Sequence, residues 1–271
     1  MVSAIQVSGR ILAPAKSSWN GAKDCWIEFS EVNGLVITGS GLGVIDGQGS
    51  DWWGQGAGCD RPTALKMNGC NGLHIEGLTH FNSQKNHITL TDCGNVTISG
   101  ITIEAPEDSP NADGIDISHS TNVRIEHFNI GTGDDCVAIN GGCSDITITN
   151  VVCGPGHGIS VGSLAASEAT EKVESVRVQN CNFTDTLNGV RIKTWQPSAV
   201  KISDVTFNGI RGSLTNTVVI NLNCCKTVAC TNITMNQISI ETIKSKASAS
   251  SYCMNALGKE NDTSPNVPCL Q

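Results

Sequence analysis

Asn95-Val96-Thr97-Ile98-Ser99-Gly100-Ile101-Thr102-Ile103 alternates apolar and polar residues through two short runs separated by a glycine. Alternation over four or five residues marks a strand buried on one face. The same phrase returns along the chain. It stands upstream as Asn33-Gly34-Leu35-Val36-Ile37-Thr38-Gly39 and Asn71-Gly72-Leu73-His74-Ile75-Glu76-Gly77. Downstream it reads Asn122-Val123-Arg124-Ile125-Glu126, Asp145-Ile146-Thr147-Ile148-Thr149-Asn150, Ser175-Val176-Arg177-Val178-Gln179-Asn180 and Ala199-Val200-Lys201-Ile202-Ser203-Asp204. From Asn71 onward the steps are roughly 23 to 30 residues, within the range of solenoid repeats. A second strand sits inside each repeat: His87-Ile88-Thr89-Leu90, Gly114-Ile115-Asp116-Ile117, Cys136-Val137-Ala138-Ile139, Gly158-Ile159-Ser160-Val161 and Gly189-Val190-Arg191-Ile192.

Two or three strands in so short a repeat predict an all-β chain wound as a parallel β-helix, with like strands stacked about 4.8 Å apart on successive coils. A leucine-rich repeat needs Leu at fixed positions, and a propeller needs blades of roughly 40 residues; neither pattern is present. The expected organisation is one domain over 1–271, with no linker and no convincing amphipathic helix. Asp46-Gly47-Gln48-Gly49-Ser50-Asp51-Trp52-Trp53 reads as a loop protruding between coils, and 245–271 as a Ser/Asn/Pro-rich tail that Cys253 and Cys269 staple.

Composition agrees. Charged residues are 15%, aromatics 4%, and there are 29 glycines, which suits a β chain with many tight turns. The net charge of −8 argues against nucleic acid and against an anionic membrane surface. A polyanionic ligand would need a local basic patch. No stretch approaches the length of a transmembrane helix. The 13 cysteines lack a Cys-x-x-Cys pair, so disulfides in an oxidising compartment are favoured over zinc. Four sequons, at Asn95, Asn182, Asn232 and Asn261, are compatible with secretion. The segment from Met1 to Val7 alternates like a strand and carries no signal-peptide pattern.

The chemistry lies in three phrases spaced by roughly 22 residues: Ser109-Pro110-Asn111-Ala112-Asp113-Gly114-Ile115-Asp116, Gly131-Thr132-Gly133-Asp134-Asp135-Cys136 and Cys153-Gly154-Pro155-Gly156-His157-Gly158. Arg191-Ile192-Lys193 follows after a longer gap. In a solenoid these residues stack on one face, so Asp113, Asp134, Asp135, His157, Arg191 and Lys193 converge on one groove. Clustered carboxyls push one another's pKa values apart, which suits glycoside hydrolysis by an acid and a base. Asp beside Gly is also an ordinary turn pair, and a His among glycines is often structural. Arg191 and Lys193, at i and i+2 on a strand, share a face. They bind an anion, pair with the aspartates, or form a solvated face. Cys136 and Cys153 either bridge adjacent coils or remain buried thiols. Cys224 or Cys225 closes a short loop with Cys230, Cys225 being the candidate; an odd total leaves at least one cysteine unpaired.

Taken together, from Asp46-Gly47-Gln48-Gly49 to Cys269, these motifs resemble the polygalacturonases of glycoside hydrolase family 28, most closely the plant branch. The resemblance implies a right-handed parallel β-helix that hydrolyses α-1,4 links of polygalacturonate in pectin, with inversion and no metal or other cofactor. It implies a monomer secreted to the cell wall. It assigns Asp134 as general acid, Asp113 and Asp135 as activators of water, His157 as support for the acid, Arg191 and Lys193 as holders of the galacturonate carboxylate, and Asn111 as a lining residue. Strand stacking would set the carboxyl separations, giving distances shorter than roughly 6.5 Å. Departures from the family pattern are Ala112 in place of Thr, Gly162-Ser163-Leu164-Ala165 in place of Gly-Ser-Leu-Gly, and the absence of N-terminal coils and cap. A coil or two is also missing after Trp195, and Tyr252 does not match the family's substrate-contacting tyrosine. The rival readings are a shortened, inactive relative that only binds pectin, and a calcium-dependent pectate lyase.

Overall fold

The computed structural model describes residues 3–21, 23–54, 60–166, 171–195, 200–243 and 247–270. The strands join in parallel, coil upon coil, as the repeat predicts. One sheet stacks Ser3–Gln6, Leu35–Asp46, His74–Phe81, Gly94–Ser99, Thr121–Gly131, Cys143–Cys153 and Val173–Gln179 in that order. A second stacks Cys25–Ser30, Thr63–Asn68, Ile88–Thr91, Ile115–Ser118, Val137–Ile139, Ile159–Leu164 and Val190–Thr194. Parallel neighbours joined by crossovers that return along the same path make a β-helix, and right-handed crossovers are the sterically favoured form.

Register explains why the phrase begins with Asn. Val96, Val123, Ile146 and Val176 stand opposite one another, as do Ile98, Ile125, Ile148 and Val178. These rows face inward, where Val96, Ile98, Val123, Ile125, Ile146 and Ile148 are at most 1% exposed. The residue before each first Val or Ile turns the chain with positive φ: Asn95 at 54°, Asn122 at 53°, Asp145 at 58° and Ser175 at 55°. Asn and Asp tolerate this left-handed conformation better than other side chains. Their stacked positions then let the amides bond, Asn122 Nδ2 donating to Asn95 Oδ1 at 2.7 Å and Asn95 Nδ2 to Asn71 Oδ1 at 2.8 Å.

The single domain expected over 1–271 divides into two compact units. One comprises Met1–Leu164 with Glu171–Lys193, and the other Ala165–Thr170 with Thr194–Gln271. The second has its own core around Ile220, Ile233, Met235, Ile238 and Val267. In it Cys230–Thr242 pairs in parallel with Thr206–Asn208, Arg211–Leu214 and Ala256–Ser264, and Val218–Asn223 pairs with Ser250–Met254.

Several sequence expectations change here. The region 245–271 is no mere tail: Ser250–Met254 and Ala256–Ser264 are strands of the second unit, although Cys253 and Cys269 do form the staple. The short-loop disulfide uses Cys224, not Cys225. Cys224 is 7% exposed and belongs to the core, while its neighbour Cys225 points the other way and contacts Thr227. Of the repeat at Ala199–Asp204, Ala199 lies outside the described residues, and only Ser203 is paired, by a bridge to Thr231. The Asp46–Trp53 segment is not a protruding loop. Ser50–Trp53 forms a short helical turn whose Trp52 is buried edge-on against Trp19. Gly49 permits that seat, since a Cβ there would come within 2.4 Å of Ser83 O.

Candidate active site

The site lies wholly within the first unit, on the outer face of the second sheet and on the turns that lead into its strands. Asp113, Asp134 with Asp135, and His157 each precede a strand of successive coils, and Arg191 and Lys193 lie on the next strand, Val190–Thr194. Backbone bonds lock the stack: Gly114 N donates to Asp135 O at 2.9 Å, and His157 N to Asp134 O at 2.8 Å. The disulfide Cys136–Cys153 ties the two coils beneath. Gly156, with φ of 149°, lets the His157 turn close over Asp134; a Cβ would meet Asp134 O at 2.9 Å.

The two adjacent aspartates have different surroundings. Asp135 is 1% exposed at its side chain. Its Oδ1 accepts from Arg191 Nη2 and from Ser160 Oγ, both at 2.7 Å, and its Oδ2 accepts from Lys193 Nζ at 2.8 Å. Arg191 Nε also donates to Ser160 Oγ at 2.7 Å. Burial alone would push the Asp135 carboxyl up, but the bonds from Lys193 and Ser160 and the Arg191 charge outweigh it and hold the group below the usual carboxylate range. Asp134 is bound instead by an imidazole, a backbone amide and a side-chain amide. Its Oδ1 contacts His157 Nδ1 at 2.9 Å and accepts from the Asp135 backbone N–H at 2.9 Å, and its Oδ2 accepts from Asn111 Nδ2 at 3.3 Å. Asp113 is pushed well up, first by burial and then by the negative charges of Asp134, Asp116 and Asp135.

Every residue expected in the groove is therefore brought together: Asn111, Asp113, Asp134, Asp135, His157, Arg191 and Lys193. Of the alternatives open for Arg191 and Lys193, the structure shows pairing with an aspartate. It leaves Lys193 two further donors and Arg191 part of its fork. Oxygens of Asp134 and Asp135 fall within 4.8 Å of each other and of a His157 nitrogen. Asp134 and Asp135 are sequence neighbours on one coil, so chain connectivity and not stacking sets their separation. The same three groups meet a minimal geometry for a cation, but both Asp135 oxygens already face cationic donors. Asp24, Cys25 and Glu28 form the other such cluster among the described residues, and Lys66 Nζ sits 3.3 Å from Glu28.

Two participants escape a reading by motif. Ser160 joins Asp135 to Arg191, and Arg61 Nη2 donates to Asn111 Oδ1 at 3.2 Å. Ser160 is detectable in principle, as the polar outward position of Ile159-Ser160-Val161 on the coil of His157. Arg61 comes from a coil two repeats away and carries no local signal. Ala112, the departure from the family phrase, is fully buried.

The model of glycosyl hydrolases family 28 matches residues 2–200 and again 195–261. A probable polygalacturonase of Arabidopsis thaliana is 41% identical over 310 residues, covering 98% of this chain and 67% of its own. A polygalacturonase of Cryptomeria japonica is 38% identical over 291 residues, covering 88% and 55%. Both alignments are longer than the 271-residue chain, so these relatives carry residues without a counterpart here. Among solved structures, the endo-xylogalacturonan hydrolase of Aspergillus tubingensis superposes with a TM-score of 0.78 at 25% identity, over 96% of this chain and 77% of that one. With the family model matched over most of its length and relatives of about 40% identity, the chain belongs to glycosyl hydrolase family 28.

Proposed function

We propose that the protein hydrolyses α-1,4-galacturonosyl links of polygalacturonate and pectin by an inverting mechanism that uses its own side chains. The observation that carries this reading is the convergence of carboxyls, an imidazole and two cations in one groove: Asp135 accepts from Arg191 at 2.7 Å and from Lys193 at 2.8 Å, while Asp134 beside it meets His157 at 2.9 Å and Asn111 at 3.3 Å. A carboxyl placed to donate a proton beside carboxylates placed to activate water is what acid–base cleavage of an acetal requires.

Asp134 acts as general acid. Its Oδ1 is engaged by His157 and a backbone N–H, so the proton is delivered from Oδ2, which among the described residues has only the 3.3 Å contact from Asn111. Donation to the glycosidic oxygen breaks the bond as a water attacks the anomeric carbon from the opposite side. Asp135 keeps one lone pair on Oδ2 beyond those bonded to Lys193, Ser160 and Arg191, and this accepts a hydrogen from the water. Asp113, ionised once the cluster's proton resides on Asp134, takes up the water's proton. His157 orients the acid. The spare donors of Arg191 and Lys193 hold the galacturonate carboxylate, and Asn111 lines the acid's side of the site.

The substrate lies in the plant cell wall, and the three disulfides among the described residues favour an oxidising, extracellular compartment. Among the described residues no helix is long and apolar enough to cross a membrane. We read the working form as a monomer acting on polysaccharide, with no nucleic-acid or membrane partner.

The test is reducing-end release from polygalacturonate by the purified chain, in excess chelator, with Asp134→Asn beside it. Release that survives chelator and vanishes in the mutant is expected. A folded protein that binds polygalacturonate without cleaving it would instead favour the inactive pectin-binding relative. Chelator-sensitive release of products absorbing in the ultraviolet would favour a lyase.

A further inference from the structure

Asp134, the acid of the mechanism above, meets at its working oxygen a side chain that can be turned either way. Asn111 Nδ2 donates to Asp134 Oδ2 at 3.3 Å. The oxygen and nitrogen of an amide are close in size, but one accepts where the other donates. Turned over about its last bond, Asn111 would present Oδ1 to Asp134, and two acceptors would face each other once the acid had lost its proton. The backbone here is already held. Asn111 is in the left-handed conformation, with φ of 49°, and the carbonyl of Ala112 accepts from Thr132 Oγ1 on the next coil. The direction of the amide is the freedom that remains.

Arg61 removes it. Its Nη2 donates to Asn111 Oδ1 at 3.2 Å. A guanidinium has donors and no acceptor, and it keeps its charge throughout the range in which proteins fold. Only the oxygen of the amide can face it, which turns Nδ2 toward Asp134. Arg61 stands just before Thr63–Asn68, and Asn111 before Ile115–Ser118, with Ile88–Thr91 stacked between them. The Arg61 side chain therefore reaches past a whole coil, across about 9.6 Å of stacking. It is 2% exposed, so bulk water does not compete for the bond.

We propose that Arg61 is a positioning residue for the acid: it fixes the polarity of the Asn111 amide, so that a donor stands at Asp134 Oδ2 as the proton leaves. In that step the Oδ2–H bond breaks, the proton passes to the glycosidic oxygen, and negative charge appears on Oδ2. A donor already in place stabilises this charge more than it stabilises the protonated carboxyl, which lowers the barrier. Arg61 touches neither the substrate nor the reacting atoms. This inference rests on the hydrolase reading proposed above.

Arg61→Met, which keeps much of the length and removes the donors, is the test. kcat on polygalacturonate should fall roughly tenfold, as for a hydrogen bond to a charged group, with KM changed less than twofold. Arg61→Lys, which keeps a cation, should recover part of the loss. In an Asn111→Ala background, Arg61→Met should cost nothing further, because the amide that it orients is gone. A loss of the same size in both backgrounds, a change carried by KM, or an unaltered kcat would overturn the proposal. Should Arg61→Met not fold by circular dichroism, Arg61→Gln, too short to span two coils, replaces it in the same cycle with the same outcomes.

A measurement that needs no catalysis separates this role from the hydrolase reading. In protein carrying isotopically labelled asparagine, the Asn111 side-chain amide is identified by the resonance lost in Asn111→Ala. Asp134→Asn should shift that resonance in the wild-type background, where Nδ2 rests on the carboxylate, and the shift should largely disappear in the Arg61→Met background. That pattern, with no hydrolysis by the wild type, sinks the hydrolase and keeps the Arg61 role. An equal shift in both backgrounds sinks the Arg61 role whatever the activity.

Discussion

Acid should destabilise this fold through two histidines that lie far from the chemistry. His80 sits in an interior row opposite Ile45 and Ile103, and both His80 and His87 are fully buried. Their rings are 6.3 Å apart, and among the described residues neither ring nitrogen of either has a protein hydrogen-bond partner. Burial lowers His80 from 6.5 to about 4, and burial together with the His80 charge lowers His87 well below 6.5. The sign follows directly. The unfolded chain takes up protons as pH falls through 6.5, while the folded chain resists until about 4. The stability contributed by keeping His80 neutral is therefore complete above 6.5, is lost as pH falls from 6.5 to 4, and changes no further below that. At 1.36 kcal/mol per pH unit, the loss is about 3 kcal/mol for His80, a large share of the 5–15 kcal/mol typical of a folded domain. Urea unfolding of the wild type and of His80→Leu, at steps from pH 7.5 to pH 4, isolates this contribution. Carboxylate effects common to both proteins cancel in the difference. The variant should gain on the wild type by about 3 kcal/mol across that range. Parallel stability curves would show that His80 is already charged or partnered in the fold, and would refute the reasoning.

Other outcomes follow from the groove and its scaffold. Ser160→Ala removes a buried hydroxyl that donates to Asp135 and accepts from Arg191; kcat/KM should drop roughly tenfold to a hundredfold, as for a hydrogen bond to a charged group, with the circular dichroism spectrum unchanged. Lys193→Ala should raise KM for polygalacturonate and leave the fold intact, checked by kinetics beside a thermal melt. Because Asp113 must be ionised to take the water's proton and its carboxyl is raised, the acid limb of kcat should lie above 3.8, and a flat profile down to pH 3 would contradict the assignment. Replacing Cys136 and Cys153 together by Ala opens a 17-residue separation; the cost should be about 3 kcal/mol in urea unfolding.

The reach of the sequence is clearest in the repeat. Asn95, Asn122, Asp145 and Ser175 are left-handed turn formers placed one coil apart, and the Val and Ile that follow them alternate with polar residues. Both signals are local, so the parallel β-helix is legible without coordinates. Because its period also places Asp113, Asp134, Asp135, His157 and Arg191 in phase, the groove is legible with it. What the period cannot convey is which neighbour each group meets. Asp134 and Asp135 are adjacent and identical as letters, yet alternation turns one toward His157 and Asn111 and the other toward Arg191, Lys193 and Ser160. Contacts across coils alone produce that difference in surroundings. Stacking likewise sends His80 into the core, chooses Cys224 over Cys225 for the disulfide, and buries Trp52 where glycine-rich sequence suggests an exposed loop. Periodicity is a property of the chain with itself, whereas desolvation and charge pairing depend on side chains separated by 20 to 60 residues that only the wound coil brings within about 3 Å.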